Sequence, residues 1–185
     1  MDGRSRLERR FSTFELLLLA LLSSLVVVAN VALHLPLKMP GHSGLVWMAL
    51  LVVARTIVDR PGAAIVAGLF SGTLAALMGV GDLGPLVTFV SYVSAGVGVE
   101  VVAYVLPGRG LPSRALMGLA GNLAKLATKV VVHLAIDVPA GFVVLGAIYP
   151  LATYVVFGLA GGCLGHFAIE ALRRAGFFAS IAEKR

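Results

Sequence analysis

Four polar residues recur at helical spacing within an otherwise apolar stretch of the chain. They are Asn122, Lys125, Lys129 and His133. Their separations of three, four and four residues would place all of them on one face of a helix. An ammonium group and an imidazole donate hydrogen bonds to a carboxylate, a phosphate or a ring nitrogen. We therefore predict that Lys129 and His133 bind a small ligand at the outer end of this helix.

Glu100 is an acidic residue in the apolar stretch that precedes this helix. Ionisable groups at membrane depth are costly and usually face protein or a water-filled cavity. We expect Glu100 to lie within reach of Asn122 and Lys125 and to pair with them. Two interpretations stay open: a structural ion pair that neutralises buried charges, or the floor of a ligand cavity.

Further polar and aromatic residues are expected at the level of the two outer cations. Hydrogen-bond donors would come from Asn30, Ser91 and Tyr92. Trp47 and Tyr149 could stack on a flat heterocycle. Trp and Tyr near a membrane interface also serve as headgroup anchors, so both roles stay open for them.

Chemistry beyond binding has little support in the sequence. His34 and His42 flank a short loop, but they lack the fixed spacing of metal ligands, so we expect no metal site. The chain has no H-E-x-x-H motif and no Walker A loop, so we expect no catalytic residues and no cofactor. Two alternatives to a ligand-binding subunit remain. One is a membrane enzyme with His133 as base and Lys129 as anion clamp, and the other is a structural subunit without a ligand.

The elements that carry these residues are predicted to be membrane spans. The 185 residues are 59% hydrophobic and 13% charged, with a mean hydropathy of +0.98, which excludes an ordinary soluble domain. Long continuous apolar runs indicate helices rather than barrel strands. We predict an all-α integral membrane protein with one domain over residues 1–185. Its six transmembrane helices are expected near 13–34, 43–58, 61–81, 85–106, 114–136 and 150–172.

Basic residues are concentrated on one side of the predicted spans. The net charge is +6, and every Lys and Arg except Lys38, Lys125 and Lys129 falls on the side that holds both termini. The positive-inside rule therefore predicts cytoplasmic termini, in a multi-pass protein of the plasma membrane. The basic excess reflects topology, so we expect contact with the lipid bilayer and none with nucleic acid.

Small residues recur at four-residue spacing in the third predicted helix, in two rows that span residues 64–76 and 63–79. Such rows allow helix backbones to approach closely in lipid. Packing within the bundle is favoured over contact with a partner. The sixth helix carries four glycines between Gly158 and Gly165, and this surface, like that of the first helix, could dock a second membrane subunit.

The middle of the chain, residues 60–106, resembles a known family. Three segments carry the resemblance: RPGAA at 60–64, GP at 84–85 and SAGVGVE at 94–100. They are similar to the substrate-binding S components of energy-coupling factor (ECF) transporters, closest to the thiamine or hydroxymethylpyrimidine type. The resemblance implies a receptor that captures a vitamin or its precursor from outside and topples to release it inward.

The resemblance also implies partners and a ligand. An S component associates with a transmembrane T component, through small residues of its first helix, and with two cytoplasmic ATPase subunits. The nearest match to that docking pattern here is Ala20, Ser23 and Ser24. The implied ligand is hydroxymethylpyrimidine or thiamine. A pyrimidine alcohol or an anionic vitamin suits Lys129 and His133 better than cationic thiamine does.

Overall fold

The computed structural model describes residues 11–32, 41–81, 84–135 and 140–177. This part of the chain is helical and contains no strand, as the sequence predicts. Its helices are α1 (Thr13–Ala32), α2 (Gly44–Ile57), α3 (Ala63–Leu77), α4 (Pro85–Val105), α5 (Leu111–Ala135) and α6 (Ala140–Arg174).

Four of these helices are long and apolar enough to cross a membrane, namely α1, α4, α5 and the Ile148–Arg174 part of α6. The other two, α2 and α3, are apolar but shorter, with 14 and 15 residues. They extend about 21 and 23 Å, less than the ~30 Å of a hydrocarbon core. The structure supports a multi-span membrane protein, while the count of six full spans stays a prediction.

Two helix boundaries differ from the predicted ones. Helix α3 ends at Leu77 instead of continuing to 81, because Gly79 and Gly81 adopt positive φ angles of 66° and 146° that a helix does not contain. The last helix begins at Ala140 and runs through Pro150, so it starts ten residues before the predicted span of 150–172, while its membrane-spanning part, Ile148–Arg174, agrees with that span. The Pro150 carbonyl accepts a hydrogen bond from the Thr153 hydroxyl (2.8 Å), within the turn that follows the proline.

The six helices form a ring in the order α1, α3, α4, α5, α6 and α2, and α2 closes the ring against α1. Because α2 also contacts α4 and α5, it lies toward the middle of the bundle. Trp47, Leu51 and Val99 are buried in the resulting core. Leu21 and Phe167 are more than half exposed on the outside, where apolar side chains suit lipid.

Glycines let neighbouring helix backbones touch. A Cβ atom on Gly96 of α4 would lie only 2.5 Å from the carbonyl oxygen of Ala64, so α3 and α4 meet backbone to backbone. The predicted internal packing of the small residues of α3 is thereby confirmed. A Cβ atom on Gly161 of α6 would lie 2.8 Å from the carbonyl oxygen of Gly44 in α2, and Gly165 faces α2 in the same way. These glycines of α6 are used in internal contacts, so they do not offer the docking surface considered above.

Ion pairs gather at one end of the ring, where α1, α3 and α5 begin and α2, α4 and α6 end. We call this the charged end, and the other the opposite end. Arg60 binds Glu15 at 2.8 Å, and Arg55 binds Glu100 at 3.0 Å. The charged end is the one that the basic residues predict to be cytoplasmic, and this sidedness stays a prediction.

Candidate functional site

The ammonium group of Lys125 lies over two aromatic rings in the half of the bundle nearer the opposite end. Its Nζ atom is 4.4 Å from the centroid of the Trp47 ring and 5.8 Å from that of Tyr92. The two rings are 4.6 Å apart and tilted by 52°. The negative face of an aromatic ring attracts a cation, and more strongly where water is excluded. The aromatic pair therefore stabilises a charge that would be costly inside a membrane.

Asn30 of α1 joins the same group of side chains. Its Nδ2 donates a hydrogen bond to the Tyr92 hydroxyl oxygen (3.0 Å). Trp47 and Tyr92 are only 1% and 3% exposed, which shows that Trp47 is not a headgroup anchor. We call Asn30, Trp47, Tyr92 and Lys125 the aromatic cluster. All four are predicted site residues, and they come from α1, α2, α4 and α5.

A small cavity adjoins the aromatic cluster between the end of α1 and the start of α2. Its volume is about 20 Å³, which is room for one water molecule. Its lining includes Ala29, Asn30, His42, Ser43 and Trp47. The connection from α1 to α2, residues 33–40 with the predicted His34, lies outside the described residues. Asn30 and Trp47 belong both to this cavity and to the aromatic cluster.

The indole N–H of Trp47 is a buried donor without an acceptor among the residues that the structure describes. A buried donor left unsatisfied costs about 1–3 kcal/mol. A ligand atom that accepts this hydrogen bond would remove the penalty. The cluster thus offers a flat surface and an unused donor, which together match a heterocycle with a ring nitrogen.

Asn122, the fully buried amide of α5, binds the backbone of α6. Its Nδ2 donates to the carbonyl oxygen of Tyr154 (2.8 Å), and its Oδ1 has no donor within the described part of the chain. A Cβ on Gly44 would lie 2.5 Å from this Oδ1, so Asn122 also contacts the first residue of α2. Asn122 therefore fixes α2 and α6 against α5 below the aromatic cluster.

Lys129 and His133 continue the same face of α5 one and two turns beyond Lys125, and both are half-buried. His133 Nδ1 lies 2.7 Å from the Lys129 carbonyl oxygen. Because a carbonyl only accepts, His133 must carry its proton on Nδ1 and donate it. Its Nε2 then accepts a hydrogen bond when the ring is neutral and donates one when the ring is protonated. Their contact with a ligand stays a prediction.

Ser91 and Tyr149, also predicted for the site, lie differently. Tyr149 is 58% exposed in the first half of α6. Ser91 is buried next to Tyr92, and its carbonyl accepts a hydrogen bond from Ser94 (3.0 Å). Ser94 in turn accepts a hydrogen bond from Thr128 (2.9 Å), so Ser94 rather than Ser91 links α4 to α5.

The predicted pairing of Glu100 with Asn122 and Lys125 is wrong. Glu100 binds Arg55 and accepts a hydrogen bond from the Ala64 N–H (3.1 Å) at the start of α3. The axial levels explain the difference. Glu100 lies five residues, about 8 Å, from the end of α4, whereas Lys125 lies 14 residues, about 21 Å, from the start of α5. The Glu100 carboxylate is instead stabilised by a cation and by the positive end of a helix dipole.

Two polar groups at the charged end were not predicted from the sequence. The first joins Ser12 and Glu15, whose side chains each bind the backbone N–H of the other (3.2 and 2.9 Å), and Glu15 also binds Arg60. This is a capping box, and the S-x-x-E spacing before an apolar run is a signal that could have found it. The capping box fixes the start of α1 to the turn between α2 and α3.

The second missed group surrounds Arg114, which is only 1% exposed. Its Nη1 donates to His166 Nδ1 (2.7 Å) and lies 3.4 Å from Glu170. Because Arg only donates, His166 Nδ1 accepts, so this ring carries its proton on Nε2. In the sequence Arg114 counts only among the basic residues that indicate topology, and nothing in its spacing marks it as buried. It links the start of α5 to the end of α6.

The docking residues implied by the resemblance lie on two sides of α1. Ser23 is 2% exposed and donates to the Ala67 carbonyl of α3 (3.1 Å), so it lies inside the chain. Ser24 is exposed and donates to the carbonyl of Ala20 one turn earlier (2.9 Å). Contact of Ala20 or Ser24 with a partner stays a prediction.

Comparisons with known proteins agree with this architecture. The chain is similar to a structure described as the crystal structure of an S-component of an ECF transporter, with a TM-score of 0.71 and 19% sequence identity. The match covers 92% of this chain and 90% of that one, so the S-component fold implied by the resemblance is confirmed. No curated protein sequence matches. A family model matches residues 13–127, well over half of the chain, which therefore belongs to the family described as the permease component of ABC-type cobalt transport systems.

Proposed function

We propose that the chain is the membrane subunit of an importer that binds the transported substrate. The observation that carries the proposal is the aromatic cluster, in which two buried rings, an ammonium group and an amide converge beside a cavity. Binding sites for small molecules combine apolar walls with a few such polar groups. The S-component fold and the transporter family favour this role over an enzyme and over a subunit without a ligand.

The proposed ligand is a small flat heterocycle, best represented by hydroxymethylpyrimidine, with thiamine as the weaker candidate. A pyrimidine ring would stack on Trp47, and one of its nitrogens would accept the unused indole N–H. Lys129 and His133, further along α5, would contact the polar substituents. The ligand would enter from the opposite end, where the cavity lies.

The proposed role requires partners that supply energy. The chain has no phosphate-binding loop, so ATP hydrolysis would come from two cytoplasmic ATPase subunits, coupled through a transmembrane T component. The exposed face of α1, with Ala20 and Ser24, is the proposed contact with the T component. We propose that the protein spans the plasma membrane and that both of its termini lie in the cytoplasm.

Cobalt is the second candidate substrate, because the description of the family names it. Imidazole nitrogens are suitable ligands for Co²⁺. Within the described residues, no three His, Cys, Asp or Glu side chains come together. His42 lines the cavity and is the first residue to test as a ligand.

A fluorescence titration tests the proposal directly. Trp47 is the only tryptophan of the chain, so its emission reports on the site alone. The purified full-length chain is titrated with hydroxymethylpyrimidine, thiamine and CoCl₂. We expect a saturable change with hydroxymethylpyrimidine. If none of the three produces one, the proposed function is wrong; a Co²⁺ response that disappears in His42→Ala would replace the vitamin by the metal.

Two matched tyrosine variants of α4 give the control. Tyr92→Ala removes one wall of the aromatic cluster, and calorimetry should show hydroxymethylpyrimidine binding weakened about tenfold or more, a loss of at least ~1.4 kcal/mol. Tyr104→Ala changes a side chain that is 84% exposed near the charged end and should leave binding unchanged. Equal weakening in both variants would argue against a site at the cluster.

A further inference from the structure

The aromatic pair of the site already holds a cation that belongs to the protein itself. We propose that Lys125 determines specificity by excluding positively charged ligands from the aromatic cluster. The site would thereby select neutral or anionic heterocycles. This inference rests on the proposed function and adds the charge class of the ligand to it.

The geometry of Lys125 makes it part of the binding surface. Its Nζ lies 4.4 Å from the Trp47 ring and 5.8 Å from the Tyr92 ring, so one ammonium group faces both aromatic walls. Trp47 also lines the cavity, and so does Asn30, which binds Tyr92. A ligand that stacks on Trp47 therefore meets the field of Lys125 whichever face of the ring it uses.

The size of the repulsion follows from the distances. A cation stacked about 3.5 Å from the free face of Trp47 would lie about 8 Å from the ammonium nitrogen. At an effective dielectric constant of about 20, two unit charges at that distance repel enough to weaken binding roughly 30-fold. On the other face, the ligand would have to displace the ammonium group altogether. The free face therefore penalises a cation but not a neutral ring, whereas the face under Lys125 is closed to both unless the ammonium group moves.

Removal of the positive charge should reverse this selection. Without Lys125, the buried rings of Trp47 and Tyr92, whose centroids lie 4.6 Å apart, would be available to attract a cationic ligand. Hydroxymethylpyrimidine and thiamine form a matched pair of probes, because they share a pyrimidine and only thiamine adds a cationic thiazolium ring. The ratio of their dissociation constants isolates the effect of charge from the effect of shape.

Calorimetry on the full-length chain measures this ratio in the wild type and in three variants. Lys125→Met keeps the length of the side chain without its charge, and the ratio of thiamine to hydroxymethylpyrimidine dissociation constants should fall about tenfold or more. Lys125→Arg keeps the charge and should keep the ratio. Arg109→Gln removes a charge that is 75% exposed at the charged end, and it controls for net charge. Thermal unfolding shows whether each variant is folded. If Lys125→Met is not folded, Lys125→Gln takes its place.

The outcomes separate this inference from the proposed function. An unchanged ratio in Lys125→Met overturns the role of Lys125 while leaving a vitamin receptor intact. A fall of the ratio by the same amount in Lys125→Arg or Arg109→Gln overturns the role of Lys125 as well, because then the positive charge at position 125 is not the cause. Thiamine binding that appears only in Lys125→Met supports the inference even if the wild type binds neither compound. Absence of binding in every variant refutes both proposals.

Discussion

The contact between α5 and α6 depends on the absence of a side chain at Gly162, and the variant Gly162→Ala tests this. A Cβ at this position would lie 2.7 Å from the Ala115 Cα and closer still to the Arg114 carbonyl oxygen. Carbon atoms normally stay about 3.5–4.0 Å apart, so the two helices would have to separate by about 1 Å. The shift would also disturb the buried guanidinium of Arg114.

The expected cost can be worked out against a control in the same helix. Overpacking of this kind costs about 1–3 kcal/mol, from which the better helix propensity of alanine subtracts about 0.5–1 kcal/mol. Gly146→Ala makes the same chemical change at a position where no atom of the described residues lies within 4 Å of the new Cβ, so only the gain in propensity applies. The two variants should therefore differ by about 2 kcal/mol in the free energy of unfolding.

Thermal unfolding in detergent, followed by circular dichroism, measures the difference. For a chain of this size, about 2 kcal/mol corresponds to a midpoint about 4–8 °C lower for Gly162→Ala than for Gly146→Ala. Gly146→Ala should match the wild type or exceed it slightly. Equal midpoints for the two alanine variants would show that α5 and α6 do not meet backbone to backbone, and would refute the packing described here.

Three further predictions concern the ion pairs of the charged end. Arg55→Gln and Glu100→Gln should each destabilise the protein, and the double variant should lose less stability than the sum of the two single losses. The difference, which a double-mutant cycle of unfolding measures, should be about 1–3 kcal/mol. Independent effects would contradict their pairing. Glu170→Gln should lower the free energy of unfolding by about 1–3 kcal/mol, because it removes a negative charge that balances the buried guanidinium of Arg114. Chemical denaturation measures this loss, and an unchanged stability would count against the network around Arg114. Arg109→Gln should change stability by less than about 0.5 kcal/mol, since its ion pair is solvent-exposed.

The helices that carry local start and stop signals were predictable from the sequence. The fourth predicted span, 85–106, agrees with α4 (Pro85–Val105) because Gly84 and Pro85 fix its start. Pro150 is different, because α6 begins ten residues before it, at Ala140. A proline removes one backbone hydrogen bond, but in a transmembrane helix neighbouring helices and Ser or Thr side chains can satisfy the freed backbone group, so the helix can continue. A proline is therefore a weaker stop signal in a membrane-spanning helix than in a soluble one.

The composition of the site was predictable in part, and its pairing was not. Helical spacing placed Lys125 on one face with Asn122, and Trp47 and Tyr92, proposed as a stacking residue and a hydrogen-bond donor, lie buried beside Lys125. The partner of each charge depends on the axial offset between helices and on the reach of each side chain. One sequence contains neither quantity, so Glu100 was assigned to Lys125 when Arg55 lies at its level.

The distribution of polar contacts predicts which end of the molecule opens for a ligand. At the charged end, ion pairs connect α1 to the α2–α3 turn, α2 to α4 and α5 to α6. At the opposite end, the contacts across α1, α2, α4 and α5 include the neutral Asn30–Tyr92 and Thr128–Ser94 hydrogen bonds and the contact of Lys125 with the rings.

The contacts named at the charged end are ion pairs, whereas those named at the opposite end are neutral hydrogen bonds and a cation–π contact, so we expect local opening at the opposite end to require less free energy. Hydrogen exchange provides the measurement. Amides of the first turns of α2, around Trp47, should exchange faster than those around Arg55 and should slow down when hydroxymethylpyrimidine binds. Slower exchange around Trp47 than around Arg55 in the free protein would mean that the ligand enters elsewhere, because an entrance must open more readily than the base that holds the helices together.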